Sequence, residues 1–337
     1  MNKIIFFIEN KSHMRFVEKL LFYFLENNYP VFLICQEIPF DNKKYNFKNL
    51  EIKVLENDYD KINTLKRLEG ILFFTTTPSI GTVIFPKSSV LKASRPIYVY
   101  LFHSLVSPNQ MYVKNSFKYF DYIFSPSEII TSQIKYLVSK TTKVVTTGYL
   151  LFDGIEPFSK NKIFNNKILI APTWGQDGLN KIYNNFDKVK QLAERLNLEL
   201  IFRPHPMINF KDIQIKNIQI DIDKELNNLF TYNHLITDYS GIALEYFYLT
   251  ARSTLFLDVP KKIKRNLKSS EKDIVLIEND MRNKIGFNKN FESLENIEEF
   301  PKLKTDFSKN YVQKINNFVN PLEKILSVLR QENFIDL

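Results

Sequence analysis

The stretch Lys167-Ile168-Leu169-Ile170-Ala171-Pro172-Thr173-Trp174-Gly175 decides how this chain is built. Its apolar run is too short for a helix and gives way to a proline, a hydroxyl and a glycine, so it reads as a buried strand that opens onto a loop. The residues just before it, 156–166, include Pro157, Ser159, Lys160 and three asparagines without periodicity, and read as a linker. On both sides of that linker, short apolar runs alternate with longer stretches of helical period. That alternation is the signature of parallel α/β units, so the series runs once, stops and restarts.

Upstream, strands are expected at 3–8, 31–35, 51–55, 71–74, 97–102, 122–124 and 144–146. A helix is expected over 13–26, where Phe16, Leu20, Leu21 and Phe24 share a face. Downstream, strands are expected at 167–171, 199–203, 218–222, 234–237, 253–257 and 274–277, with helices near 179–196, 224–231 and 242–249. A last helical pattern covers 311–331. The length of 337 residues suits two domains. The expected division is 1–155, 165–310 and a terminal helix, 311–337, that packs back toward the first domain.

Composition narrows the class. Hydrophobic residues at 44% and charged residues at 25% belong to a folded chain rather than a disordered one. The single cysteine, Cys35, lies in an apolar run and excludes an intrachain disulfide or a cysteine-built metal site; it reads as a buried thiol. The net charge of +9 accompanies an abundance of Lys, Asn, Ile, Phe and Tyr, a bias that genome composition explains as well as an anionic partner does. The basic run Lys261, Lys262, Lys264, Arg265 and Lys268 has no helical period and little aromatic interleaving, so no nucleic-acid partner is expected. It reads as a solvated loop, with contact to phosphate or lipid headgroups second. The amino-terminal apolar run is too short for a signal peptide, and no stretch has the apolar length of a membrane span, so a cytoplasmic location is expected, with peripheral membrane contact open.

In parallel α/β sheets ligands bind at the carboxyl ends of strands, which picks out four clusters. His103, in Phe102-His103-Ser104, follows a strand and can take a proton from an attacking hydroxyl. Arg203 and His205, in Arg203-Pro204-His205-Pro206, are held by two prolines; a guanidinium fork suits phosphate oxygens, and an imidazole can donate to the same group or to a leaving oxygen. Asp238, Tyr239, Ser240 and Gly241 precede a helix whose free N–H groups suit an anion. Thr173 and Trp174 close the run quoted first, the indole reading equally as a core seal. Asp221-Ile222-Asp223 is expected to cap the following helix. No Gly-rich phosphate loop, dinucleotide fingerprint or cleft-facing Asp pair is present, so neither cofactor nor metal is expected.

The order of these motifs, His103, then Gly148-Tyr149-Leu150-Leu151-Phe152-Asp153, then Ala171-Pro172-Thr173-Trp174, then Arg203-Pro204-His205-Pro206, then Thr237-Asp238-Tyr239-Ser240, resembles the CDP-glycerol glycerophosphotransferases of teichoic-acid and capsule synthesis. The resemblance covers roughly 95–260. It implies a GT-B fold, two Rossmann-like domains facing across a cleft, with 1–155 on the acceptor side and 165–310 on the donor side. It further implies work at the cytoplasmic membrane face, moving a polyol phosphate from a CDP-activated donor to a hydroxyl of a cell-surface glycan or its lipid-linked precursor, with release of CMP. His103 would then be the base, His205 a second catalytic group, and Arg203, Thr173, Asp238, Tyr239, Ser240 and Gly241 would bind the donor. The family usually has His-Gly-Thr where this chain has His103-Ser104-Leu105, and a second serine where it has Gly241. A GT-B glycosyltransferase using a nucleotide sugar is the alternative, and a non-catalytic anion-binding protein a third.

Overall fold

In the computed structural model, residues 2–39, 45–77, 91, 95–113, 115–158, 165–208, 211, 213, 215, 217–222, 226–261, 274–301, 305–315 and 320–336 are described. The chain forms two compact units: Met1–Ser104, Pro108–Gly154 and Lys314–Leu337 make the first, Leu105–Ser107 and Ile155–Gln313 the second.

The first unit holds β1 (Ile4–Ile8), α1 (Glu18–Glu26), β2 (Val31–Cys35), β3 (Leu50–Val54), α2 (Asp58–Lys66), β4 (Ile71–Phe74), β5 (Ile97–Leu101), α3 (Pro108–Met111), β6 (Tyr122–Ser125), α4 (Glu128–Ile134) and β7 (Lys143–Thr146). Its sheet has the order β3-β2-β1-β4-β5-β6-β7, with every pairing parallel. Strands covered on both faces need apolar side chains at every position, which is why β1 and β2 are continuous apolar runs and why Cys35 is fully buried.

The second unit holds β8 (Lys167–Ile170), α5 (Gln176–Asn184), α6 (Phe186–Arg195), β9 (Glu199–Phe202), β10 (Gln219–Ile220), β11 (His234–Thr237), α7 (Ile242–Thr250), β12 (Thr254–Leu257), α8 (Ile277–Asp280), β13 (Gly286–Lys289) and α9 (Thr305–Ile315), which ends in the first unit. Its sheet repeats the order, β10-β9-β8-β11-β12-β13, again all parallel. Both sheets therefore reverse direction once, between β1 and β4 and between β8 and β11, and each reversal leaves a crevice at the strand ends.

Several elements depart from the sequence expectation, each for a local reason. The helix expected over 13–26 begins as a 3₁₀ turn, Lys11–Phe16, capped by the Asn10 side chain, before α1. That expected over 179–196 is two helices meeting at Asn185, and the segment 224–231 is a 3₁₀ turn, Leu226–Thr231. The terminal helical pattern is likewise two helices, α9 and α10 (Pro321–Gln331), because a proline keeps the residue before it out of helical conformation and Asn320 is left-handed, φ 31°. Helix α10 is fixed in the first unit: the Leu322 amide donates to Asp153 Oδ1 at 3.0 Å, and Ile325, Leu326 and Leu329 enter that unit's core. The strand expected at 274–277 is absent; Ile277 opens α8 with its amide bonded to Ser107 Oγ at 2.7 Å. The sixth strand is β13, whose Gly286 passes so near Thr254 that a Cβ would lie 2.0 Å from the Thr254 carbonyl oxygen. Helices α2 and α4 were not foreseen. Residues 159–164 of the linker and all of the basic run except Lys261 lie outside the described residues.

Candidate functional site

In the second unit, β8 and β11 bring Thr173 and Asp238 together at the crevice. The Thr173 amide donates to Asp238 Oδ1 at 3.0 Å and Oδ2 at 3.2 Å, and its hydroxyl to Oδ2 at 2.5 Å. Asp238 is 1% exposed; burial raises its carboxyl above the usual range while the Thr173 donors act against the rise. A carboxylate so enclosed braces the loop after β8 and fixes the direction of Thr173.

Just beyond it, Ser240 Oγ accepts weakly from the Ile242 amide, at 3.5 Å, and Gly241 opens α7. A Cβ on Gly241 would stand 3.3 Å from Val106 Cγ1 and 3.7 Å from the Leu105 nitrogen, so this helix start is packed closely against residues 105–106. The Tyr239 ring carries the Arg282 guanidinium 4.5 Å from its centre and the Lys261 ammonium at 5.4 Å. Arg282 donates through Nη1 to the carbonyls of Asp238 at 3.4 Å and Leu257 at 3.2 Å, and through Nε to Asn288 Oδ1 at 2.5 Å, tying the ends of β11, β12 and β13 together. Burial lowers the pKa of both cations. Lys261 also lies 3.9 Å from Glu278, a buried carboxylate that accepts from the Ser107 amide at 3.0 Å. Beside Tyr239 is a cavity of about 460 Å³ lined by Asp258, Arg282, Asn288 and Lys289 among others. Sequence reasoning missed Arg282 and Glu278 as site-forming residues, Glu278 even though it directly follows the strand expected at 274–277.

After β9, Arg203 is turned inward. It is 6% exposed and donates through Nε at 2.9 Å and Nη2 at 2.6 Å to Asp221 Oδ2, which also accepts from the Tyr232 hydroxyl at 2.6 Å. Asp221 is thus the counter-ion of Arg203, a role the sequence did not suggest; Asp223 and Lys224, where its stretch is expected to cap a helix, lie outside the described residues. His205 accepts at Nδ1 from the Met207 amide, 3.1 Å, and its ring lies stacked 6.1 Å from Trp174. An imidazole that accepts at Nδ1 carries its hydrogen on Nε2 when neutral, so His205 is set up as a donor through that nitrogen.

In the first unit the crevice between β1 and β4 is closed by a similar polar pair, His13 Nδ1 and Thr75 Oγ1, 3.0 Å apart. His103, following β5, packs against His13 with ring centres 4.8 Å apart and the planes tilted by 32°, and lies 5.5 Å from the Phe16 ring. Its Nδ1 is 3.3 Å from the Tyr100 hydroxyl, and its carbonyl accepts from the Tyr149 hydroxyl at 3.2 Å. Burial, with the Arg15 charge second, pushes His13 down to about 4, so the partner ring of His103 is uncharged near neutrality. His13 gave no sequence signal, because its only relation to His103 is across 90 residues of chain. Among the described residues, no three of His, Cys, Asp or Glu gather as a metal site, and no helix is long and apolar enough to cross a membrane.

Two parallel sheets that share the order 3-2-1-4-5-6, the first extended by a seventh strand and each with polar side chains at its reversal, define a GT-B-like α/β protein. Residues 103–252 match the family described as CDP-Glycerol:Poly(glycerophosphate) glycerophosphotransferase. The matched segment begins at His103 and contains Thr173, Arg203, His205 and Asp238 to Gly241, whereas His13, Thr75, Tyr100 and Arg282 lie outside it. No curated protein matches the chain. Among solved structures, it is similar to the wall teichoic acid polymerase TagF, studied as a histidine-to-asparagine variant with CDPG after a 15 minute soak. That similarity has a TM-score of 0.56 at 14% identity, over 98% of this chain and 88% of that one. It is also similar to MnaA of S. aureus with UDP (TM-score 0.58, 15% identity, 99% of this chain and 98% of that one). A third is the UDP-GlcNAc 2-epimerase of Methanocaldococcus jannaschii with UDP-GlcNAc and UDP (TM-score 0.60, 12% identity, 98% and 99%). At these identities the likeness is one of fold.

Proposed function

We propose that the protein transfers a polyol phosphate, most simply glycerol phosphate, from a CDP-activated donor to a hydroxyl of a cell-surface glycan or its lipid-linked precursor, releasing CMP. The observation that carries this reading is that the family match spans every residue the strand-end argument selects, from His103 to Gly241. In the proposed reaction the acceptor hydroxyl gives its proton to His103, its oxygen bonds to the β-phosphorus, and the bond from that phosphorus to the bridging oxygen breaks. The bridging oxygen leaves with CMP, its charge met by donors held in the second unit. His205 Nε2–H, the Thr173 loop and the amides at the start of α7 are suited to that work, since preformed donors stabilise charge that builds in the transition state. The 460 Å³ cavity beside Tyr239 offers room and amide groups for a nucleoside. Arg203, neutralised by Asp221, is proposed to orient its proline-bounded turn rather than to hold the phosphates itself. The domain assignment proposed is acceptor binding by the first unit and donor binding by the second, at the cytoplasmic face of a membrane.

The test is a panel of CDP-polyols and nucleotide sugars, each offered with a membrane acceptor fraction in EDTA, with the donor's β-phosphorus labelled. Label in the acceptor and release of CMP support the proposal. Label retained in a nucleoside diphosphate would make the protein a glycosyltransferase, and nucleotide binding without turnover of any donor would make it a binding protein.

A further inference from the structure

Tyr100 lies on β5, is fully buried, and places one phenol oxygen among three polar neighbours. These are the Thr75 carbonyl at 3.3 Å, the Tyr112 hydroxyl at 2.9 Å and His103 Nδ1 at 3.3 Å. A phenol has a single proton to give. The Thr75 carbonyl can only accept, so the proton of Tyr100 is directed there, and the lone pairs of its oxygen receive Tyr112 O–H and His103 Nδ1–H. The same holds if the proton goes to Tyr112; only a proton given to His103 Nδ1 itself reverses the tautomer, and that leaves the Thr75 carbonyl without its Tyr100 donor. An imidazole with its hydrogen on Nδ1 has its lone pair on Nε2, the form a general base requires.

Other contacts keep the ring from turning away from this arrangement. The Tyr149 hydroxyl holds the His103 carbonyl, and the His13 ring, itself tethered to the side chain of Thr75, lies against the His103 ring. Thr75 therefore orients both histidines, His13 through its hydroxyl and His103 through its carbonyl and Tyr100. We infer that Tyr100 is a positioning residue for His103, selecting the Nδ1–H tautomer and aiming Nε2 at the acceptor hydroxyl. Burial holds the Tyr100 phenol well above its ordinary pKa and pushes Tyr112 up to about 12, so the relay keeps its protons through the neutral range. The inference rests on the reading of His103 as the base under Proposed function, and its positioning residue, Tyr100, lies outside the family match.

Histidine ¹⁵N spectroscopy of the full chain tests it directly, because there are only four histidines and His103→Gln assigns the one in question. The expected wild-type spectrum shows His103 as the Nδ1–H tautomer. Tyr100→Phe should move it toward Nε2–H and lower kcat for CMP release by about 10–100-fold, the usual cost of losing a group that orients a working imidazole, with the donor KM unchanged. Tyr112→Phe keeps the Tyr100 phenol and should lower kcat less. A wild-type His103 already in the Nε2–H form would overturn the inference, and so would a folded Tyr100→Phe protein with unaltered tautomer and kcat. Should Tyr100→Phe fail to fold, the wild-type spectrum decides alone. The expected tautomers in a protein that turns over no donor would leave the positioning role standing and remove the transferase reading.

Discussion

Replacing Asp221 by Asn asks whether Arg203 is held for the fold or for a ligand. Both side chains of the pair are 7% exposed. Asp221 Oδ2 receives Arg203 Nε at 2.9 Å, Arg203 Nη2 at 2.6 Å and the Tyr232 hydroxyl at 2.6 Å. An amide can turn its carbonyl oxygen to the same three donors, so the number of hydrogen bonds survives and what disappears is the charge. The guanidinium is then buried without its counter-ion, a situation that costs about 3–5 kcal/mol when a buried pair is broken. Tyr232→Phe removes one hydrogen bond to a charged acceptor, worth about 1.5–3 kcal/mol, and should rank below Asp221→Asn. Urea unfolding followed by circular dichroism measures both, with an unchanged m-value confirming that stability alone has moved. The reasoning fails if Asp221→Asn costs less than about 1 kcal/mol and binds a CDP-activated donor more tightly, because Arg203 would then be a phosphate ligand that Asp221 merely restrains.

Three further outcomes are expected. His103→Gln should lower turnover by about 10²–10⁴-fold with donor affinity unchanged. His205→Ala should weaken donor binding by about 1.5–3 kcal/mol, read by calorimetry in EDTA; equal loss of donor binding in both variants would place the two histidines in one phosphate site. Thr173→Val leaves buried Asp238 without its shortest donor and should cost about 1.5–3 kcal/mol in urea unfolding, a loss that a serine at the same place restores. His13 and His234 are both pushed down to about 4 by burial. A lowered imidazole is neutral in the folded chain and takes up a proton on unfolding, so stability should be full above about pH 6.5 and fall as the pH drops toward 4. His13→Gln or His234→Gln should flatten that slope, and a stability that rises across the same window would contradict the burial argument.

How much of this was legible in the sequence follows from how each feature is encoded. Parallel strands buried on both faces announce themselves as apolar runs, so β1, β2, β8 and β11 were readable, and with them the polar residues at their ends. Strand β13, Gly286-Phe287-Asn288-Lys289, holds one large apolar residue and owes its place to the missing side chain of Gly286, which no periodicity reveals. The partners in the site were hidden for a different reason. Asp221 meets Arg203 across 18 residues and His13 meets His103 across the first sheet, while Tyr100 reads in sequence as one more aromatic residue of a strand. Strand ends told where chemistry could occur; the tautomers argued for His205 and inferred for His103 had to come from the contacts of Met207 and Tyr100.

The three residues Leu105–Ser107 have a bearing on how the protein can be taken apart. They stand between two stretches of the first unit in sequence but belong to the second, where Ser107 supplies its hydroxyl to the Ile277 amide and its own amide to Glu278. A recombinant fragment starting at Ile155 would carry the whole second sheet and still lack them. Its Glu278 would lose the Ser107 amide and keep Lys261, at 3.9 Å, and the first turn of α8 would lose its tether. Weak nucleotide binding by such a fragment would report the surgery rather than the unit, and supplying a peptide that spans Leu105–Ser107, or splicing those residues back ahead of Ile155, is the repair the architecture dictates.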